Sequence, residues 1–543
     1  MTTPPTPLLI AAGVIVLMLA RAAWATFQFR MTTPAEREYD MPRVSWYVNA
    51  SVPQDEQRPA RAWADLDMDD VFRKLDRTVG WPGQHLLYAR LRTEHHSPAD
   101  LARLEGQVFQ ATADGGLRTR LRMALAPLDA RRASALPFLF YGELPQRPPL
   151  AWMYPLLSMA GVISVVAAFR WPGLILLLGG LGLLNACLRA WHRDRIDRVV
   201  PAMRMLPAML GAATSLTLLE GELKPHATEL RHALPKLHWM SRAAWWLSFE
   251  PTGANELVNF VYELVNLLFL LDVTAYAWSV DALVQGRDTL RSVYVALGEL
   301  DTVQSLATLR SERSDWSRPS FCEGVECGVD FSGLKHPLLH DAVPNALTML
   351  DRSVLLTGSN MSGKSTFIRA VGVNAVLAQT IHTVFAERWR SPRMAVRTSI
   401  GRADSILEGK SYYRAEVDGI GALLTATPGH ARLILIDELF RGTNSVERVS
   451  AAKAVLAHLD AGEDFIIVAT HDVELLDLLP GYAAYHFREE VRDGELTFDY
   501  RLHGGPCSTK NAIAILELAG YPAGVVAEAR AQAAAMGKNV ATE

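Results

Sequence analysis

Residues 358–365 read GSNMSGKS. Two glycines bracket the run and a Lys-Ser pair closes it, which is the spacing G-x-x-x-x-G-K-[ST]. Glycines let backbone N–H groups turn toward phosphate oxygens, and the N-terminus of a following helix adds its positive dipole end. In that chemistry Gly358, Ser359, Asn360, Met361, Ser362, Gly363, Lys364, Ser365 and Thr366 form the cradle. Lys364 reaches the β- and γ-phosphates and the Ser365 hydroxyl ligates Mg²⁺, so ATP and Mg²⁺ are the expected cofactors. Farther along, LILIDE (433–438) ends in two acids. Asp437 is the expected carboxylate on the magnesium side, and Glu438 is placed to orient or deprotonate an attacking water. FIIVAT (465–470) delivers His471 to the same edge, as a sensor of the γ-phosphate.

These residues need a particular scaffold. SVLLTG (353–358) reads as a short buried strand and TFIRAVGVNAVLAQ (366–379) as the helix after the loop. Strand, loop, helix is the context the motif requires. LILIDE and FIIVAT are continuous apolar runs, as parallel strands buried on both faces are. The expected fold of this part is an α/β phosphate-loop nucleoside triphosphatase (P-loop NTPase).

The rest of the chain is different. Its 543 residues correspond to about three or four domains. A formal charge of −4 announces no nucleic-acid partner through bulk charge. The four cysteines (Cys187, Cys322, Cys327, Cys507) match no zinc spacing and read as reduced thiols. Residues 8–20, LLIAAGVIVLMLA, extend to Phe27 with one charge, Arg21. With no basic residue before the run, an uncleaved anchor is favoured over a signal peptide. Residues 150–169 and 171–188 are two further apolar runs, roughly 30 and 27 Å long as helices. Trp171-Pro172-Gly173 turns between them, and Arg189, Arg193, Arg195 and Arg198 follow as a positive-inside flank. The expectation is a multi-pass protein of the plasma (inner) membrane with its nucleotide site in the cytoplasm. Residues 257–280, interrupted by Glu263, Asn266 and Asp272, read as a buried helix or one lying against the membrane.

At this point the chain resembles the MutS family of DNA mismatch repair ATPases. TGSNMSGKSTFIRA is similar to that family's phosphate loop, LILIDELFRGTNSVE to its Asp-Glu strand and Arg-Gly-Thr turn (Arg441-Gly442-Thr443), and VATHDVEL to its Ala-Thr-His switch. SIGRADSILEGKSYYRAEV (399–417) resembles the segment with the trans-acting signature serine, which falls on Ser411. YRLHGGPCSTKNAIAILELAGYP (500–522) resembles the closing segment of the same domain. Upstream, 297–309 is similar to the helical junction before the ATPase and 65–92 to the start of the helical core, or lever. Gln379 resembles the family's helix-end Gln, a candidate sensor of Mg²⁺ or water.

The resemblance implies a composite site in an ATP-bound homodimer: Lys364, Ser365, Asp437, Glu438 and His471 from one protomer, Ser411 from the other. It also implies binding of mismatched DNA. The departures point elsewhere. Phe-x-Glu, the mismatch wedge of the family, occurs at 385–387 and 487–489, inside the ATPase region, and reads as chance. Residues 189–296 are too short for lever arms plus a clamp, Ser359 replaces the usual proline, and Tyr412-Tyr413 follow Ser411. The expected domains are an anchor (1–30), a linker (31–64), an all-α lever-like region with the membrane hairpin at 150–188 (65–330), and the ATPase (331–543). Two functions compete: a membrane-anchored ATPase acting on DNA, and an ATP-driven switch acting on a membrane protein partner without DNA. An ABC-type transporter ranks below both, since Leu-Ser-Gly-Gly-Gln is absent. Topology has a direct check: with Trp171→Cys, an impermeant maleimide is expected to label the turn from the outer face, and labelling confined to the cytoplasmic face reverses the orientation.

Overall fold

The computed structural model describes residues 39–144, 150–168, 171, 173, 175–247, 264–265, 267–324, 327–350, 353–359, 362–401, 412–425, 431–441, 443–492, 495–506 and 520–539. The expected anchor at 8–27 lies outside them. The chain divides into two compact units. One comprises residues 1–51, 77–87 and 107–308; the other comprises 52–76, 88–106 and 309–543.

The first unit is helical. Its helices include Met41–Ser51, Gly115–Leu125, Tyr154–Ala168, Ile175–Met203, Leu206–Ser215, Lys224–Leu247 and most of the 42-residue Leu271–Glu312. Residues 41–51, expected as linker, therefore begin this bundle. A buried aromatic cluster forms its centre: Tyr47 stacks on His85 at 4.9 Å, and the His85 ring meets the Tyr294 hydroxyl at 2.6 Å. Burial pushes the His85 imidazole down to about 3, so it is neutral. Asp301, fully buried, is the strongest polar anchor. Its carboxylate accepts from the N–H groups of Val79 (2.9 Å) and Gly80 (2.8 Å) and from Gln304 Nε2 (2.7 Å). A side-chain carbon at Gly83 would lie 2.2 Å from that carboxylate, which is why glycine stands there.

The apolar hairpin is in this unit. Ala151–Ala168 is one helix long and apolar enough to cross a membrane, with mean hydropathy 1.7 and little of it buried. The second expected span is corrected: Leu176–Trp191 is a shorter apolar stretch within the helix Ile175–Met203. The two helices pack on each other and meet the backbone of the helical residues 267–269. There Ser158 Oγ donates to Phe269 O at 2.5 Å and Asn185 Nδ2 to Leu268 O at 3.0 Å. Of the stretch 257–280, the described residues from 264 on are not one helix. Leu270 takes φ +46°, and the long helix starts only at Leu271.

The second unit is α/β. Its strands are β1 (Ser320–Phe321), β2 (Val329–Leu334), β3 (Asn345–Met349), β4 (Val354–Thr357), β5 (Arg388–Ser391) and β6 (Met394–Ile400). They continue with β7 (Ala431–Asp437), β8 (Phe465–Ala469), β9 (Ala483–His486), β10 (Glu489–Arg492), β11 (Glu495–Phe498) and β12 (His503–Gly504). A six-stranded sheet has the order β12-β9-β4-β8-β7-β6, parallel from β9 to β6 with β12 antiparallel. A second sheet has the order β1-β5-β2-β3, and β10 and β11 form a hairpin. The run VLLT of β4 is buried throughout, as a strand flanked on both sides must be. Rings join the sheets: Phe331 stacks on Trp389 at 5.3 Å, and Phe367 lies 6.2 Å from Phe331 and 5.7 Å from Phe487. The Phe-x-Glu phenylalanines, Phe385 and Phe487, are both core residues of this unit.

Residues 60–65, of which 60–64 are expected as linker, form a helix against β6. Asp65 accepts from Thr398 Oγ1 (2.7 Å) and from the N–H of Ile400 (3.0 Å), closing part of an edge strand. Cys322 and Cys327, expected as reduced thiols, are paired as a disulfide, with Cα atoms 5.6 Å apart. The turn between them, with Gly324 at φ +96° and the Cys327 N–H on Gly324 O, returns the chain close enough to bond. Cys187 is free and exposed.

Asp301→Ala removes the acceptor of two backbone donors inside the bundle. It is expected to cost roughly 3 kcal/mol, read as a fall in melting temperature, with a smaller loss for Asp301→Asn. An unchanged melt refutes the anchoring role.

Candidate functional site

β4 delivers the phosphate loop from the middle of the sheet. Gly358 has φ +136°, and a side-chain carbon there would lie 2.5 Å from Phe487 O. Gly363, at φ +107°, is the N-cap of helix Lys364–Ile381, and no side chain caps that helix. Both glycines are thus required by backbone geometry. Lys364 is buried, and its ammonium donates to Gly358 O (2.6 Å) and Ser359 O (2.8 Å), across the loop it closes. Ser362 Oγ donates to Ser359 O at 2.8 Å, so its side chain serves the loop itself. Ser365 and Thr366, in the first helical turn, line a cavity of about 310 Å³ together with Lys364 and Glu438. Ligand cavities usually hold ~300–1,000 Å³. Asn345 and Tyr500 form part of its wall. Asn360, Met361 and Ser411 lie outside the described residues; the helix Tyr412–Leu423 starts directly after Ser411.

Two strands bring the acids and the histidine to the same edge. Register pairs Asp437 of β7 with Ala469 of β8, and Ala469 with Leu356 of β4. The three carboxyl ends are therefore level, where ligands bind in open parallel sheets. Asp437 is buried at the end of β7. Glu438, one residue on, turns into the left-handed region at φ +60°, with its N–H on Ala469 O at 2.8 Å. Its carboxylate is 2.5 Å from His471 Nε2 and 2.7 Å from Arg441 Nε. Arg441 also donates to Asp437 O at 3.1 Å. The His471 hydrogen bond, aided by the Arg441 and Lys364 charges and opposed by burial, holds the Glu438 carboxyl below the usual carboxylate range. Glu438 is therefore ionised at neutral pH and able to accept a proton.

Ser365 and Asp437 are both hard oxygen donors, which suits Mg²⁺. The glycine-framed loop, Lys364 and the helix N-terminus suit a polyphosphate.

Gln379 does not reach this site. It sits in the last turn of its helix with its amide donating to Ala375 O and accepting from Met394 N–H at 2.6 Å. Sequence reasoning missed several supports. Ser359 Oγ donates to the buried Glu489 carboxylate. Glu416 accepts from the Arg441 N–H at 3.3 Å, and burial raises its carboxyl pKa. Arg448 forks onto Asp472, beside His471. None carries a local signal; each pairs residues far apart in sequence.

Removing the ring in His471→Ala removes the largest influence holding Glu438 down. Its carboxyl is expected to titrate at higher pH than in the unmodified protein, measured by ¹³C NMR of labelled glutamate. An unchanged titration excludes His471 as the cause.

With this geometry in place, comparison with known proteins is specific. Residues 354–537 match the model of MutS domain V. The chain is 35% identical over 254 residues to the DNA mismatch repair protein MutS of Thermus thermophilus, covering 46% of this chain and 31% of that protein. It is 33% identical over 242 residues to that of Natronomonas pharaonis, covering 42% and 28%, and 35% identical over 259 residues to that of Geobacillus kaustophilus, covering 45% and 28%. The chain spans under a third of the length of these relatives, and residues 354–537, which carry the phosphate loop, Asp437, Glu438 and His471, are similar to MutS domain V.

Proposed function

We propose that this chain is a membrane-anchored, MutS-like ATPase that binds and hydrolyses Mg²⁺-ATP. The observation that carries this is the meeting, around one cavity, of Lys364 and Ser365 with Glu438, itself held by His471 and Arg441. The similarity of residues 354–537 to MutS domain V supports the same reading. When bound, Mg²⁺ supplies positive charge to the transferring phosphoryl group. Ser365 and Asp437 would hold it. Lys364 binds the terminal phosphates, exchanging its loop carbonyls for them. Glu438 takes the proton from the attacking water, and His471 keeps that carboxylate ionised and oriented until then. Arg441 balances the second acid. Ser411 of a second protomer completes the site in a homodimer, since both half-sites occur in one chain; ATP then favours the closed dimer through contacts made only there.

Membrane anchoring rests on the hairpin. Its outward residues include Trp152, Leu156, Ile163, Val166, Leu176 and Leu183, all exposed. Trp152 and Trp191 flank one end and Trp171 the turn. Within the helix, sixteen residues lead from Ile175 to Trp191, about 24 Å, so this arm nears the thickness of a hydrocarbon layer with tryptophan at its far end. The relatives are DNA mismatch repair proteins, and DNA binding is the function that similarity suggests. The exposed hairpin favours a second reading, in which the ATP-driven change acts on a membrane partner without DNA. Salt-sensitive duplex binding with DNA-stimulated turnover supports the first, because phosphate contacts weaken steeply with salt; its absence leaves the second.

Lys364→Ala is expected to abolish ATP hydrolysis. Glu438→Gln is expected to retain ATP binding, lose turnover by roughly a hundredfold or more, and accumulate as an ATP-bound dimer by light scattering. Unchanged turnover in Lys364→Ala overturns the site; a persistently monomeric Glu438→Gln overturns the composite dimer.

A further inference from the structure

His471 reaches Glu438 from a short loop, and that loop is tied down on the far side. Thr470 donates its N–H to Leu356 O at 2.9 Å, which fixes the loop's start to the phosphate-loop strand. The N–H of Asp472 bonds Thr470 Oγ1 (3.0 Å), and the N–H of Val473 bonds His471 O (3.1 Å). These bonds wind the backbone around His471, whose ring meets Glu438, and the side chain of the next residue, Asp472, is held in addition. That hold comes from another element. Arg448, in the first turn of helix Ser445–Asp460, places Nε 2.9 Å from Asp472 Oδ2 and Nη2 2.5 Å from Oδ1. The helix turn is itself fixed: Asn444 caps it by accepting the Glu447 N–H at 2.9 Å, and Thr443 Oγ1 donates to Glu447 at 2.9 Å.

From this geometry we infer that Arg448 and Asp472 are a positioning pair that aims the His471 ring at Glu438 for ATP hydrolysis, an inference that rests on the proposed ATPase reading. The fork is made to Asp472 and not to an acid of the site, although the Arg448 charge reaches Glu438 through space. It acts through His471, one residue from Asp472. An ordinary surface ion pair contributes little, but this one is a two-point fork of the kind that fixes orientation, and its side chains are 28% and 12% exposed. The fork also links two segments that both leave the catalytic edge: the helix that follows β7 and its turn, and the loop that follows β8. Release of the fork frees the loop to rotate as a unit, taking His471 from Glu438 while leaving the phosphate loop in place. The expected consequence falls on the chemical step rather than on nucleotide binding.

The test uses full-length protein and Mg²⁺-ATP with Arg448→Gln, Asp472→Asn, the double variant and Arg448→Lys. Each single change is expected to lower kcat roughly tenfold to a hundredfold, the scale of misplacing a catalytic group, with KM, ATP affinity and melting temperature nearly unchanged. The double variant is expected to be no worse than either single one, since the two residues act as one unit. Arg448→Lys, which keeps the charge but not the fork, is expected to recover part of the loss. Amide exchange across residues 470–475 is expected to quicken in Arg448→Gln. Unchanged kcat, additive losses, or a loss shared equally by affinity and melting overturns the inference. If the unmodified protein does not hydrolyse ATP, the ATPase reading fails instead, and amide exchange decides whether the pair holds the loop.

Discussion

The site depends on one backbone event: at the end of β7 the chain leaves the sheet in a left-handed turn at Glu438. A side chain other than glycine adopts that conformation at a cost of about 1–3 kcal/mol, so the surroundings must hold it. They do so from three directions. β8 binds the Glu438 N–H through Ala469 O, His471 and Arg441 grip the carboxylate, and Glu416 receives the N–H of Arg441. Phe440, also left-handed at φ +57°, continues the turn with its ring in the core. The result points a charged carboxylate along the sheet edge toward the cavity, where a regular extension of the strand would have aimed it at a layer of helix or sheet. Strain of this kind persists only where the surroundings over-determine it, as Ala469, His471 and Arg441 do here.

That arrangement was legible in the sequence only where the signal is local. The phosphate loop is contiguous, and its glycines, Lys364 and Ser365 appear where spacing and the strand-loop-helix context place them. The acid strand and the histidine strand were legible for a related reason: a run of apolar residues buried on both faces has few places to lie, and a parallel sheet aligns the ends. The residues that finish the site are different in kind. Ser359 and Glu489 are 130 positions apart, Arg448 and Asp472 are 24 apart, and Glu416 and Arg441 are 25 apart. Each is an unremarkable polar residue in its own segment, and only the order β9-β4-β8-β7 brings the segments together. Gln379 shows the converse. Its segment matches a familiar pattern, but its amide is consumed by Ala375 and Met394 in the core.

The helical unit was legible as composition and not as packing. Apolar stretches identify the hairpin, yet nothing local says that Asp301 will be buried beneath Val79 and Gly80, more than 200 residues earlier. The disulfide was misread for a comparable reason. A five-residue separation suits no zinc site, so the thiols read as free; it does permit a closed turn once Gly324 takes a positive φ.

The hairpin's few polar groups argue for a definite role of its inner face. Ser158 and Asn185 are on different helices, yet both donate to consecutive carbonyls, Phe269 O and Leu268 O, where a helix ends. Gly161 lies against the same place, and a side-chain carbon there would come 2.8 Å from Leu268 O. Terminal carbonyls of a helix have no partner within it. Exposed, they would bond water; packed against the hairpin they need a protein donor, and leaving a buried one unpaired costs about 1–3 kcal/mol. Ser158 is six residues from Trp152 and Asn185 six residues from Trp191, so both sit roughly 9 Å along their helices from the aromatic end. The two polar side chains therefore satisfy helix-end carbonyls buried between the hairpin and its neighbour, while the outward residues include leucine, isoleucine, valine and tryptophan.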